Sequence, residues 1–134
     1  MTIIIPTPEQ IVEINKMICE EGGNLHHCRD FGRVESSLHS AFYPGTYPFA
    51  HGGIAKVAGA LCYYITQNHA FTDGNKRTAA LTSLTFLNQN GLDLKYPKSG
   101  KNSFADMVIA CASNETTKDE LKDWFEKHKI RIKK

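Results

Sequence analysis

Near the middle of the chain stands the stretch His69-Ala70-Phe71-Thr72-Asp73-Gly74-Asn75-Lys76-Arg77-Thr78. It brings an imidazole, a carboxylate, an amide and two cations together around one glycine. No other part of the sequence concentrates reactive groups so closely. Because apolar residues at helical spacing flank the stretch, we expect a turn at which one helix ends and the next begins. Such a grouping is typical of a site that holds a polyphosphate and transfers part of it.

Working outward, the apolar periodicity predicts a small, mainly α bundle. One helix should run from Ile54 to about Asn68, and the next should begin at about Asp73 or Gly74 and end at Asn90-Gly91. Capping patterns and apolar stripes predict further helices, which start after Thr7, Asp30, Ser103 and Thr117. The only β elements expected are Ile3–Ile5 and the loop Tyr43–Phe49, whereas Leu92–Asn102 should be a loop.

Length and composition indicate an ordinary globular protein. The chain has 134 residues, 41% of them hydrophobic and 22% charged, so we expect one domain over residues 1–134 with its core at about 8–128. The net charge of +2 is uneven, because residues 122–134 hold six basic and two acidic residues. Residues 129–134 are expected to form a solvated, fraying basic tail that does not bind nucleic acid directly.

The four cysteines include no Cys-x-x-Cys pair. Cys19, Cys62 and Cys111 lie in helical patterns, where a free thiol acts as a small hydrophobe. This usage favours a reducing compartment, and no segment reaches the length of a membrane span. We therefore expect a cytoplasmic protein without a membrane partner. The run His26-His27-Cys28 suggests a metal site, but adjacent histidines rarely reach one ion and no second pair of ligands exists, so structural roles are favoured.

The anion binding predicted for the central stretch depends on the helix that follows it. The first backbone N–H groups of a helix lack acceptors and lie at the positive end of its dipole, which attracts anions. Gly74 lets an anion approach the backbone closely, the Asn75 side chain could add a donor, and Lys76 and Arg77 add two charges.

The remaining polar groups of the stretch suit catalysis. Asp73 would be repelled by bound phosphates unless a cation intervened, and Mg²⁺ favours one or two carboxylates together with phosphate oxygens. His69 is the group suited to act as a base near neutral pH. Phe71 is expected to anchor the loop in the core. A helix N-terminus with a solvated cationic face remains an alternative explanation for the same residues.

These residues, read as His69-x-Phe71-x-Asp73-Gly74-Asn75-Lys76-Arg77, resemble the signature of the Fic/Doc superfamily. The likeness is closest to its death-on-curing (Doc) branch, the toxins of bacterial toxin–antitoxin modules. It extends over roughly residues 8 to 128, through Gly22-Gly23, Arg29-Asp30 and Trp124. It implies a helical Fic/Doc-like bundle with a short extended flap.

The resemblance implies a protein kinase that uses Mg-ATP. Fic adenylyltransferases usually carry Gly where this chain has Lys76, and a second Arg where it has Ala80. The Doc branch shows both changes, and its Lys is held to reverse the orientation of ATP so that the γ-phosphate faces the target hydroxyl. The implied target is a threonine of elongation factor Tu, whose phosphorylation stops translation. A Fic-type AMP transferase and a non-catalytic partner- or nucleic-acid-binding module remain alternatives.

Carried over by resemblance, His69 is the base, Asp73 the Mg²⁺ ligand, and residues 74–77 bind phosphates. The flap that positions the target would correspond to Tyr43–Phe49, with the residues Tyr43, Gly45, Thr46 and Tyr47. The superfamily's self-inhibitory motif, Ser/Thr-x-x-x-Glu-Gly/Asn, is not matched, since Met17 precedes Glu21-Gly22 where Ser or Thr is needed. The expected restraint is therefore a separate Phd-like antitoxin with a segment that folds as a helix on the toxin.

Overall fold

The computed structural model describes residues 2–132, and within that range it contains six helices and one two-stranded sheet. In chain order the elements are α1 (Pro8–Glu21), α2 (Phe31–Phe42), α3 (Ile54–Asn68), α4 (Asn75–Gln89), β1 (Leu92–Leu94), α5 (Phe104–Ala112), α6 (Lys118–His128) and β2 (Lys129–Arg131). The mainly α fold is confirmed, with helix boundaries close to those that periodicity predicted.

Capping residues explain where several helices begin. Thr7 Oγ1 accepts a hydrogen bond from Gln10 N at 3.2 Å, while Gln10 Oε1 accepts one from Thr7 N at 2.9 Å. Thr117 and Glu120 form the same reciprocal pair at the start of α6. These bonds satisfy N–H groups that a helix leaves without partners in its first turn.

Helix α3 is the central element, because α2, α4, α5 and α6 all pack against it. Small residues allow this close approach. Gly59 lies so near α6 that an added Cβ would stand 2.7 Å from Lys122 Cα. The C-terminal end of α3, where the motif begins, is thereby held by the whole bundle.

The core contains residues from every helix and includes Trp124. Trp124 stacks on Phe104 with ring centroids 5.4 Å apart, and its indole N–H donates to the Asn102 carbonyl at 3.1 Å. The cysteines Cys19, Cys62 and Cys111 are buried as expected, and all four cysteines are free thiols. Burial raises the pKa of Cys62 to about 12, so this thiol stays protonated and serves packing.

The β-strands do not form where the sequence predicted them. Leu92–Leu94 belongs to a predicted loop, yet it pairs antiparallel with Lys129–Arg131, which was expected to fray. Strands of three residues are too short for a period-two pattern to appear in the sequence. Lys133 and Lys134 of the predicted tail lie outside the described residues. Ile3–Ile5 forms no strand, because the Asn90 side chain takes the place of a partner strand on both polar groups of Ile4.

The extended conformation expected for the flap was also wrong, whereas its role in positioning a target stays a prediction. Residues 43–48 form turns and bends, with Gly45 N donating to Phe42 O at 2.7 Å and Ala50 N to Tyr43 O at 2.8 Å. Prolines at 44 and 48 lack the N–H groups that a strand ladder needs. Among residues 2–132, no helix is long and apolar enough to cross a membrane.

The close crossing at Gly59 predicts a large cost for one methyl group. Gly59→Ala should lower the free energy of unfolding by about 1–3 kcal/mol, because the α6 backbone must move away. Urea denaturation should show a lower midpoint at an unchanged m-value. Gly53→Ala is the control, since nothing lies within 4 Å of its Cβ position. Equal midpoints for the two variants would show that α6 does not press on α3.

A second prediction concerns pH. Burial lowers the pKa of His51 most, and Lys122 and then Lys118 lower it further, while the hydrogen bond to the Ser40 carbonyl and the Asp119 carboxylate oppose the shift. His51 Nε2 donates to Ser40 O at 3.0 Å, so its bare Nδ1 faces Lys122 Nζ at 3.3 Å. The folded state therefore disfavours the charged ring.

Unfolded chains bind this proton more readily, so stability should be complete above the ordinary pKa of 6.5 and fall as the pH drops through it toward the folded-state value. Urea midpoints measured on either side of that pH should reveal the loss, and His51→Gln should reduce it. A pH dependence that survives this substitution unchanged would assign it to other groups.

Candidate active site

The motif forms the connection between α3 and α4. His69 follows the last residue of α3 with φ +47° and ψ +48°, and Gly74 precedes α4 with φ +77°. The left-handed conformation is unusual for a residue with a side chain and costs about 1–3 kcal/mol, so surrounding contacts must hold His69 there. These two turns place His69, Thr72 and Asp73 at the surface between the helix ends, while Ala70 and Phe71 are buried.

Two motif residues fix the loop to the body of the protein. Phe71 is 1% exposed and lies in the core, as the anchor role requires. The Asn75 side chain binds both backbone groups of Phe71, since its Nδ2 donates to Phe71 O at 2.8 Å and its Oδ1 accepts from Phe71 N at 3.1 Å. These bonds use Oδ1 and one of the two Nδ2 hydrogens, so the predicted contact of this side chain with an anion would rest on the second Nδ2 hydrogen and stays a prediction.

The segment before α2 forms a second support that sequence reasoning missed. Arg29 N donates to Ala70 O at 2.8 Å, and Thr72 N donates to His27 O at 3.0 Å. These backbone bonds carry no side-chain signature, so periodicity and motifs give no hint of them. His27 Nδ1 lies 3.1 Å from Thr72 Oγ1. Within the described range, no group of three His, Cys, Asp or Glu side chains could hold a metal ion.

Two arginines cap the end of α3. Arg29 Nη2 donates to His69 O at 3.0 Å, and Arg33 Nη1 donates to Asn68 O at 3.1 Å. The last carbonyls of a helix lack intrahelical donors and lie at the negative end of its dipole, so both cations are well placed. The structure therefore places both arginines beside the His69 end of the site.

A pocket of about 370 Å³ opens at the junction. It brings together the predicted catalytic and phosphate-binding residues with a few neighbours, namely Thr66, His69, Thr72, Asp73, Gly74, Asn75, Lys76, Arg77 and Ala112. The predicted flap residues Tyr43, Gly45, Thr46 and Tyr47 do not line it. Tyr43 and Tyr47 are each 55% exposed.

Most polar groups of this pocket have no hydrogen-bond or ion-pair partner among residues 2–132. Across residues 2–132, the side chains of His69, Asp73 and Lys76 form no hydrogen bond or ion pair, and the backbone N–H groups of residues 75–77 have no acceptor. The Arg77 guanidinium lies against Gly22 at the C-terminal end of α1. Three free amides and two cations therefore meet at the start of α4, which is the arrangement that binds phosphate groups.

A second cavity of about 550 Å³ adjoins the pocket, with Lys76 and Arg77 lining both. Its walls are mostly apolar and come from α5 and the loop before it, including Tyr96, Phe104 and Val108. A cationic rim over an apolar wall suits a ligand with an anionic end and an aromatic body.

Comparisons with known proteins agree with this geometry. The model of a family described as "Fic/DOC family" matches residues 5–87, more than half of the chain. A protein named Toxin Doc from Mycolicibacterium smegmatis is 36% identical over 73 residues, which cover 54% of this chain and 55% of that protein. The chain thus matches about half the length of this relative.

The Asn75 clamp predicts a stability effect that can be separated from chemistry. Asn75→Ala leaves both backbone groups of the buried Phe71 without partners, which should cost about 1–3 kcal/mol of unfolding free energy. The control is Asn88→Ala, which removes one exposed bond from the same helix. Urea denaturation should rank Asn75→Ala clearly below the control, and equal midpoints would contradict the clamp.

Proposed function

The chain belongs to the Fic/DOC family, and we propose that it is a Doc-type toxin acting as a cytoplasmic protein kinase. In this proposal it transfers the γ-phosphoryl group of Mg-ATP to a threonine or serine hydroxyl of a translation factor. The observation that carries the proposal is the junction pocket, where an imidazole and a carboxylate stand beside free helix amides and two cations. The named relative supports the toxin role.

The triphosphate would lie against the start of α4. The amides of residues 75–77 and the side chains of Lys76 and Arg77 would bind its oxygens, since helix dipole and cations attract it together. The nucleoside would occupy the adjoining cavity, where Tyr96 and Phe104 offer apolar walls. Lys76 and Arg77 line both spaces, so one ligand can span them.

Asp73 is the residue that would hold Mg²⁺. Its carboxylate is exposed and, in the described part of the chain, forms no ion pair although Lys76 and Arg77 follow within one helical turn. A free carboxylate beside a phosphate-binding helix start fits the oxygen donors that Mg²⁺ prefers. When bound, the ion would neutralise charge on the phosphates.

His69 would act as the base. Its ring forms no hydrogen bond with any residue in the range 2–132, so either nitrogen can accept the proton of an incoming hydroxyl. As that proton moves to the ring, the hydroxyl oxygen bonds to the γ-phosphorus and the bond from this phosphorus to the bridging oxygen breaks. ADP leaves with that oxygen, and Arg77 and the helix amides stabilise the charge on the transferring group.

Lys76 supports phosphoryl over nucleotidyl transfer. It occupies the position that is Gly in Fic adenylyltransferases, and its side chain lines both cavities. A charge there adds a contact that those enzymes lack, which favours a different placement of the triphosphate. Elongation factor Tu is the proposed target, and the exposed Tyr43 and Tyr47 would contact it. A Phd-like antitoxin would restrain the enzyme, since the chain lacks the superfamily's inhibitory motif.

The test uses the purified chain, elongation factor Tu, Mg²⁺ and ATP labelled in either the α- or the γ-phosphate. We expect label in the protein from γ-labelled ATP alone. Label from the α-position would instead indicate AMP transfer, and absence of both would contradict the proposed reaction on this target.

Matched variants assign the chemistry to the pocket. His69→Ala and Asp73→Asn should each lower the rate by about 100-fold or more, because base and metal contributions are lost. Asp119→Asn serves as the control, since this side chain is 82% exposed and lies on α6. Labelling that persists in both pocket variants would show that the junction is not the catalytic site.

A further inference from the structure

A buried asparagine on α1 reaches the back of the junction. Asn15 is 0% exposed, and its Nδ2 donates to Asp73 O at 2.8 Å and to Thr78 Oγ1 at 3.0 Å. Its Oδ1 lies 2.8 Å from His26 Nδ1 and 3.6 Å from Cys19 Sγ. An amide oxygen only accepts, so the Nδ1 of His26 carries the hydrogen. Every donor and acceptor of Asn15 is therefore in use, and none of them enters the chemistry described above.

The bond to Asp73 controls a peptide group that would otherwise be free to turn. The peptide between Asp73 and Gly74 is followed by a residue without a side chain, which adopts φ +77° here and accepts many other values. The Asp73 carboxylate makes no contact in residues 2–132 that could fix it. The orientation of this peptide therefore depends on what holds its carbonyl: Asn15 Nδ2 donates to it at 2.8 Å, and the Cys19 thiol is a longer contact at 3.7 Å.

Because a peptide group is planar, a fixed Asp73 carbonyl also fixes the direction of the Gly74 N–H. In a trans peptide the N–H points opposite to the carbonyl. With the Asp73 carbonyl held toward α1, the Gly74 N–H faces away from α1, on the side where Gly74 lines the pocket, and it has no acceptor in the described part of the chain. It thus joins the amides of residues 75–77.

We infer that Asn15 is a positioning residue of the reaction: it locks the Asp73–Gly74 peptide so that the Gly74 N–H faces the bound phosphate and the Asp73 carboxylate keeps its place. His26 orients the Asn15 amide from the other side. This inference rests on the proposed function, because it assigns Asn15 to the same phosphate and metal site. The lock comes from α1, remote in sequence from the motif it serves.

The experiment measures binding rather than turnover. The magnesium complex of a non-hydrolysable ATP analogue is titrated by calorimetry into the parent chain and into Asn15→Leu, which has a similar volume but no polar group. We expect about 10-fold weaker binding in the variant, the lower end of the effect of removing a group that orients a metal ligand. In proton–nitrogen NMR spectra, the Gly74 amide should shift on ligand addition in the parent and respond less in the variant.

A control and a second variant separate this role from general stability. Ser83→Ala removes a buried hydroxyl that donates to Ala79 O at 2.7 Å on the same helix as Thr78, outside both cavities. It should leave the affinity within about twofold of the parent. His26→Leu affects a half-buried loop position and keeps both Asn15 donors, so it should fold even if Asn15→Leu does not. We expect it to weaken binding by less than Asn15→Leu, about threefold.

The outcomes distinguish the two proposals. If the parent binds the magnesium–nucleotide complex and Asp73→Asn weakens that binding, the proposed site stands. In that case, Asn15→Leu and His26→Leu binding as tightly as Ser83→Ala would overturn the role of Asn15 alone. A parent that binds no nucleotide would overturn the proposed function itself.

Discussion

The site depends on the burial of Phe71. A loop of polar residues between two helices would ordinarily move freely in water, but this loop carries an aromatic ring that is 1% exposed in the core. Burying such a ring contributes about 1.5–3 kcal/mol, enough to hold the short loop down. With Phe71 facing inward, His69 and Asp73 on either side of it remain exposed. Because its side chain occupies the core, its backbone groups lose water, and the Asn75 amide replaces that water with two hydrogen bonds. The separation of the His69 and Asp73 side chains therefore follows from packing as much as from their spacing in the chain.

The helices and the position of the junction could be predicted from the sequence, because both depend on patterns among residues close together in the chain. The capping pairs of Thr7 and Thr117 join residues only three positions apart, and apolar periodicity located the central helices. The predicted imidazole, carboxylate and cations also line one pocket, since they stand close together in the chain. Their roles remain proposals. The bonds from Asn75 to Phe71 could not be foreseen, because an amide next to a helix start can bind an anion or a loop, and only the folded position of Phe71 shows the second contact.

What the sequence could not supply are contacts between distant segments. The pairing of Leu92–Leu94 with Lys129–Arg131, the support of residues 70–72 by the segment before α2, and the reach of Asn15 to Asp73 all join parts that no local pattern connects. Asn15 itself stands among the apolar positions of α1, where a polar residue at a buried site is visible only once the helix is packed. The adjacent histidines illustrate the same limit, since structural roles were favoured for them but their separate partners, Asn15 for His26 and Thr72 for His27, could not be named from the sequence.

The residues that hold the junction lie within the family match, and the residues that form the apolar wall of the larger cavity lie outside it. Residues 5–87 include every side chain that holds the junction, from Asn15 and Arg29 to Asn75. The apolar wall of the larger cavity, with Tyr96, Phe104 and Val108, lies beyond that range. In the proposed function the matched segment binds the phosphate groups, which have the same shape in every nucleotide and so suit a site of fixed geometry. The nucleoside differs from one nucleotide to another, and its recognition requires walls that can change without disturbing that site. Because those walls lie on α5 and the preceding loop, substitutions there could change the preference for the proposed nucleoside without replacing His69 or Asp73.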